Sequence, residues 1–155
     1  MCRYSSRVAD DLLDPIRTVI RLSRIAQQVC EEAGLNLAQY RALHSAVATG
    51  RRAYELAQAT AVSRPAVTSL TNGMVRAGLI ERQATPDDGR GVVFVITALG
   101  EERLREAERM LVARFAEVLG DAAPALAALD TDPLLAALDV QADRDFGKRR
   151  SEGRP

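Results

Sequence analysis

Between Ser63 and Arg76 the chain reads SRPAVTSLTNGMVR. On a wheel of about 100° per residue, Val67, Leu70, Thr71 and Met74 share one side. Pro65, Thr68, Ser69, Asn72 and Arg76 fall within roughly a 100° arc opposite, and Arg64 projects from the first turn. This polar arc carries hydroxyls, an amide and guanidinium groups but no carboxylate. Such a set suits hydrogen bonding to a polyanion, because phosphates would repel an acid. Short hydroxyls let a helix sink into a groove about 12 Å wide, where Asn can pair with an adenine edge and Arg with guanine N7 and O6. Free N–H groups at the helix N-terminus suit phosphate oxygens. The bland alternative is a solvated face that lacks acid by chance.

A second candidate lies just downstream. In PDDGR, residues 86–90, Arg90 sits at or beside a loop tip, placed to enter a minor groove. Asp88 can orient a neighbouring Arg through a charge-assisted bond. Asp87, Asp88 and Gly89 equally serve as turn formers.

The elements that position these residues follow from periodicity and punctuation. Residues 8–32 form a long helix with a broad apolar stripe through Leu12, Leu13, Ile16, Val19, Ile20, Ile25, Val29 and Cys30, ended by Gly34. LNLAQYRALHSAVATG gives a second helix and RRAYELAQAT a short third. Ser63 is a suitable N-cap for the fourth, with Pro65 in its first turn. After Gly78, LIERQ and the β-branched VVFVI are the two strands of a hairpin. Thr97 can cap a helix from about 98 to 119, and further helical segments follow Pro124, interrupted at DTDP, residues 130–133. The expected fold class is mainly α with a small β-hairpin wing (α+β). Two helices across a tight turn followed by that wing make a winged helix-turn-helix, whose second helix occupies the major groove.

Composition bounds the rest. A chain of 155 residues, 47% of them hydrophobic, suits one domain with an appended dimerisation element. No apolar run is long enough to span a bilayer and the N-terminus has no signal-type apolar stretch, so a cytoplasmic protein without membrane contact is expected. Net charge is zero, but residues 51–91 carry six basic and four acidic side chains, while 101–145 carry five and eleven. The balance excludes a general nucleic-acid coat and permits a local basic surface. One histidine and two cysteines leave no ordinary metal site, and no cofactor is expected. Nothing resembles a nucleophile–base pair, catalytic carboxylates or a phosphate loop, which argues against an enzyme.

LNLAQYRAL (35–43), ELAQATAVSRPAVTSLTNGMVRAGLIER (55–82), PDDGRGVVFVIT (86–97) and ALG (98–100) stand in the order and spacing of the MarR family of bacterial transcription regulators, which the chain resembles over about two-thirds of its length. The resemblance implies a homodimer on double-stranded, pseudo-palindromic DNA. Residues 1–34 would be an N-terminal dimerisation helix, 35–97 the DNA-binding domain, 98–145 the C-terminal dimerisation helices, and 146–155 a disordered tail. By position, Ser63, Arg64, Pro65, Thr68, Ser69 and Asn72 would face the major groove, and Arg90, supported by Asp88, the minor groove. The surplus of leucines in 111–140 points independently to an isologous pair.

Release by a small, often aromatic, anion is a habit of the family, and repression its commoner output. Ile16, Ile20, Tyr40 and His44 are the expected pocket walls, each with ordinary core packing as its alternative. The competing readings are a winged helix that binds protein instead of DNA, and a redox sensor using Cys2 or Cys30. Gly73 departs from the family, which more often has a larger residue there. It costs about 1 kcal/mol of helix stability relative to alanine. Gly89 stands where many members carry a second Arg.

Overall fold

The computed structural model describes residues 6–84 and 91–146, without the side chains of 6–10, Arg64 and Phe146. Its elements are α1 (Ser6–Glu32), α2 (Leu37–Ala46), β1 (Arg51–Arg52), α3 (Ala53–Thr60), α4 (Arg64–Arg76), β2 (Ile80–Ala84), β3 (Val92–Ile96), α5 (Ala98–Leu119), α6 (Ala123–Ala127) and α7 (Asp132–Phe146). A single 3-10 turn, Gly120–Ala122, joins α5 to α6. The order matches the sequence expectation, with one addition. The wing is a three-stranded antiparallel sheet in the order β1-β3-β2, not a bare hairpin. β1 is two arginines pairing Arg51 with Phe94 and Arg52 with Val93. Two polar residues carry no alternation, so only their pairing partner reveals them.

Local chemistry sets the helix ends. Asn36 caps α2: its Oδ1 accepts from Gln39 N–H at 2.8 Å, and Gln39 Oε1 accepts from Asn36 N–H at 2.9 Å. Glu55 Oε2 accepts from Arg52 N–H at 2.6 Å and starts α3. α4 ends in a Schellman turn. Gly78 takes φ +70°, its N–H reaches the Val75 carbonyl, and Leu79 N–H reaches that of Met74. Met74 and Leu79 are both buried, so the same turn carries the hydrophobic contact that usually accompanies it. α3 ends on the same pattern, with Val62 N–H on the Ala57 carbonyl. There the left-handed residue is Ala61, at φ 54°.

The core lies where α2, α3 and α4 meet the sheet and the first half of α5. Leu35, Leu43, Leu56, Val67, Met74, Ile80, Phe94 and Leu104 form it. The two buried threonines, Thr60 and Thr71, return their hydroxyls to the Leu56 and Val67 carbonyls at 2.6 and 2.9 Å, so neither is left unsatisfied. The stripe on α1 behaves differently at its two ends. Val29 and Cys30 are buried against the core, whereas Leu12, Leu13, Ile16, Val19 and Ile20 are exposed.

The joint between winged domain and α5 is built on Thr97. Its hydroxyl donates to the Gly78 carbonyl at 2.6 Å, lies 3.1 Å from that of Leu79, and accepts from Gly100 N–H at 3.0 Å. The last bond caps α5 as the sequence suggested. Gly100 is needed because the chains are in contact: a Cβ there would overlap the Leu79 carbonyl and come within 2.8 Å of Ile96 Cγ1. Gly100→Ala is expected to destabilise the fold by at least about 1–3 kcal/mol, the usual cost of overpacking, seen as a lowered midpoint in thermal unfolding.

Candidate nucleic-acid interface

α4 presents the surface that its sequence pattern describes. Val67, Thr71 and Met74 are buried, while Pro65, Thr68, Ser69 and Arg76 are exposed and Asn72 is half-buried. No acid lies between Ser63 and Arg76. Arg64 opens the helix. Ser63 occupies the N-cap position, but its hydroxyl makes no capping bond. It forms no side-chain hydrogen bond among the described residues, so it stands exposed at the helix N-terminus, next to N–H groups that can receive a phosphate. Ser69 and Arg76 are likewise without side-chain partners among the described residues.

Asn72 is engaged. Its Oδ1 accepts a hydrogen bond from Nη2 of Arg82, on β2. The Arg82 guanidinium in turn lies over the Phe94 ring, 5.8 Å from the centroid. Sequence reasoning passed over Arg82 because LIERQ carries it as one polar residue among several. The available signal was strand alternation, which puts Arg82 on the same side of β2 as Ile80, the side turned to α4. Asp88 and Arg90, the two wing-tip residues named from sequence, lie outside the described residues, as does Cys2.

A second concave feature lies behind the winged domain. A cleft of about 780 Å³ separates α2 and α3 from α7. Tyr40 and His44 line it, together with Arg41, Arg51, Leu135, Leu138 and Asp139. The Tyr40 and His44 rings stack 6.2 Å apart, and His44 Nδ1 is 3.7 Å from Glu108 Oε1. Burial, with Glu108 and Cys30 nearby, raises the pKa of Tyr40, so its phenol stays a hydrogen-bond donor at neutral pH. Gln58 Nε2 donates to Asp143 Oδ1 at 2.7 Å and ties α3 to α7 across the cleft. Ile16 and Ile20 are not part of its wall; they belong to the exposed stripe of α1.

Cys30 is buried, and burial pushes its thiol pKa up, with Arg41 opposing and Glu31 adding to the rise. A protonated, enclosed thiol is a poor oxidant sensor. Among the described residues no group of three or more His, Cys, Asp or Glu could hold a metal ion.

The MarR family model matches residues 33–91, the segment from the end of α1 through the wing. Over that segment the chain is similar to the MarR family, and its fold is a winged helix. Solved structures extend the likeness in fold to about nine-tenths of the chain. AbsC, a MarR family transcriptional regulator from Streptomyces coelicolor, is 25% identical with a TM-score of 0.63, covering 90% of this chain and 100% of its own. CouR, a transcriptional repressor bound to a 23-mer DNA duplex, is 23% identical with a TM-score of 0.62, covering 91% and 99%. NadR in complex with 4-hydroxyphenylacetate is 23% identical with a TM-score of 0.65, covering 90% and 96%. Among curated proteins, none matches the sequence. The MarR family consists of transcription regulators, not enzymes. No described helix is long and apolar enough to cross a membrane.

Gly73 borders the polar face of α4. A Cβ added there would meet nothing within 4 Å. Among the described residues nothing therefore requires glycine there or offsets its helical cost. Gly73→Ala is expected to stabilise the protein by about 0.5–1 kcal/mol, measurable as a raised midpoint in denaturant unfolding at unchanged slope.

Proposed function

We propose that this protein is a cytoplasmic, homodimeric, sequence-specific DNA-binding transcriptional regulator, a repressor released by a small aromatic anion. The acid-free face of α4 carries this reading, because the exposed Ser63 hydroxyl and first-turn N–H groups suit phosphate and the arc behind them suits base edges. In the reading, Ser63, Arg64, Pro65, Thr68, Ser69, Asn72 and Arg76 face the major groove. Arg90, with Asp88, takes the minor groove on sequence grounds alone. The DNA complex of CouR supports the mode of binding.

Dimerisation draws support from apolar side chains that the single chain leaves in water. Val19 and Ile20 on α1 are 65% and 63% exposed, and Val112 on α5 71%. Fully burying one such side chain gains about 1.5–3 kcal/mol, so a C2 pairing through these helices has an ample driving force. The resulting dimer presents two copies of α4 to successive turns of one DNA face.

The effector site in this reading is the cleft between α2, α3 and α7. Arg41 and His44 offer donors to a carboxylate or phenolate, and Tyr40, Leu135 and Leu138 offer apolar surface. The aromatic anion held by NadR is a precedent for the ligand class. The ligand acts by changing how α7 meets α3, and so where α4 stands.

Two measurements test this. In a mobility-shift titration with DNA from upstream of its own coding sequence, binding is expected to weaken steeply as salt rises. Salt-independent binding, or none, would leave only a protein-interaction role for the winged helix. In light scattering after gel filtration, the wild type is expected at twice the chain mass and Ile20→Asp at the single mass, with DNA affinity falling in parallel. A variant that stays dimeric removes α1 from the interface.

A further inference from the structure

Arg82, on β2, places a guanidinium beside α4 from outside that helix. It faces Phe94 across the β2–β3 ladder. Phe94 is 6% exposed, so the ring beneath the guanidinium is a fixed platform. Asn72 Oδ1 takes one N–H of the group and sets its rotation. An amide is a neutral acceptor, so it orients the guanidinium without cancelling its charge. Among the described residues no carboxylate pairs with it: the neighbouring Glu81 projects from the opposite face of the strand, where it accepts from Gln83 at 2.8 Å. Of the five N–H donors on an arginine, the rest carry no bond among the described residues.

We propose that Arg82 is a DNA-backbone contact, a pre-set guanidinium that grips a phosphate at the edge of the major groove, and that Asn72 is its positioning residue. This rests on the DNA-binding reading above. A recognition helix contacts base edges mainly with its N-terminal residues. Asn72 is the ninth residue of α4, in the third turn, where a helix leaving the groove passes the phosphate wall. The planar fork of an arginine matches two phosphate oxygens at once. Stacking on Phe94 and the bond to Asn72 remove side-chain freedom before DNA arrives, so less is lost on binding. The carbonyl of Asn72 is then committed to Arg82, and its part in recognition is to hold a charge in place instead of pairing with adenine.

Fluorescence anisotropy of the full-length protein on a labelled mixed-sequence duplex, from roughly 50 to 200 mM salt, tests this. Arg82→Gln is expected to weaken binding at least about tenfold at low salt and to reduce the log–log salt slope by about 0.9 for each Arg82, hence by about 1.8 for the homodimer. Arg82→Lys keeps the slope and loses only part of the affinity, since the charge remains and the fork does not. Asn72→Ala weakens binding in the wild-type background and adds nothing in the Arg82→Gln background, because it acts through the guanidinium. An unchanged slope in Arg82→Gln overturns the phosphate contact. Additive losses overturn the positioning role and return Asn72 to independent base reading. A loss matched by a lowered unfolding midpoint at equal slope assigns Arg82 to holding the sheet, which also overturns the proposal. If the wild type shows no salt-dependent binding at all, the DNA-binding reading falls first and Arg82 with it.

Discussion

The contact that the architecture depends on is the hydroxyl of Thr97. One oxygen atom joins three pieces of backbone: the Schellman turn that closes α4, the start of β2, and the first turn of α5. α4, the wing and α5 thus leave a single point at fixed angles. Gly100 lets α5 come close enough for this to happen, since even a methyl group would collide with the Leu79 carbonyl. Neither residue touches a proposed ligand. Both decide where the surface of α4 faces relative to the helices that carry the exposed apolar stripe.

That surface is notable for what its residues leave unspent. Ser63 sits where a serine would ordinarily be consumed by its own helix, and is not. The polar arc behind it holds no acid, while the segment from 101 to 145 has more than twice as many acids as bases. Electroneutral overall, the chain separates its charges along its length, leaving the winged domain with the basic share. The guanidinium of Arg82 fits the same pattern: it is held by stacking and a neutral amide, so its orientation is fixed at no loss of charge.

Much of this was legible in the sequence, because local rules governed it. The bounds of α4, the stop at Gly78, the paired strands and the cap at Thr97 each follow from residues within a few positions of one another. What escaped depended on partners far along the chain. β1 is a strand only because β3 lies beside it, and two arginines carry no alternating pattern to announce that. The stripe on α1 was visible, but periodicity does not say that Val29 and Cys30 face this chain's core while Ile16 and Ile20 face outward. Tyr40 and His44 lie about one turn apart on α2, but the cleft they line is completed by α3 and α7. On a helical wheel Asn72 stands alone as one polar residue of the arc. Its bond to Arg82 crosses ten positions and a change of secondary structure, beyond the reach of a helical wheel.

The link between Gln58 and Asp143 gives the short helix α3 a mechanical character. Eight residues make a rod of about 12 Å, far shorter than the radius over which helices curve, about 60–100 Å. Such a strut cannot absorb a displacement by bending. With α7 fastened to one side of α3 and α4 packed against another, a shift of the C-terminal helix passes on as a rotation of the whole strut. α3 thus holds α7 and α4 on one short rigid rod, with little elastic give between them.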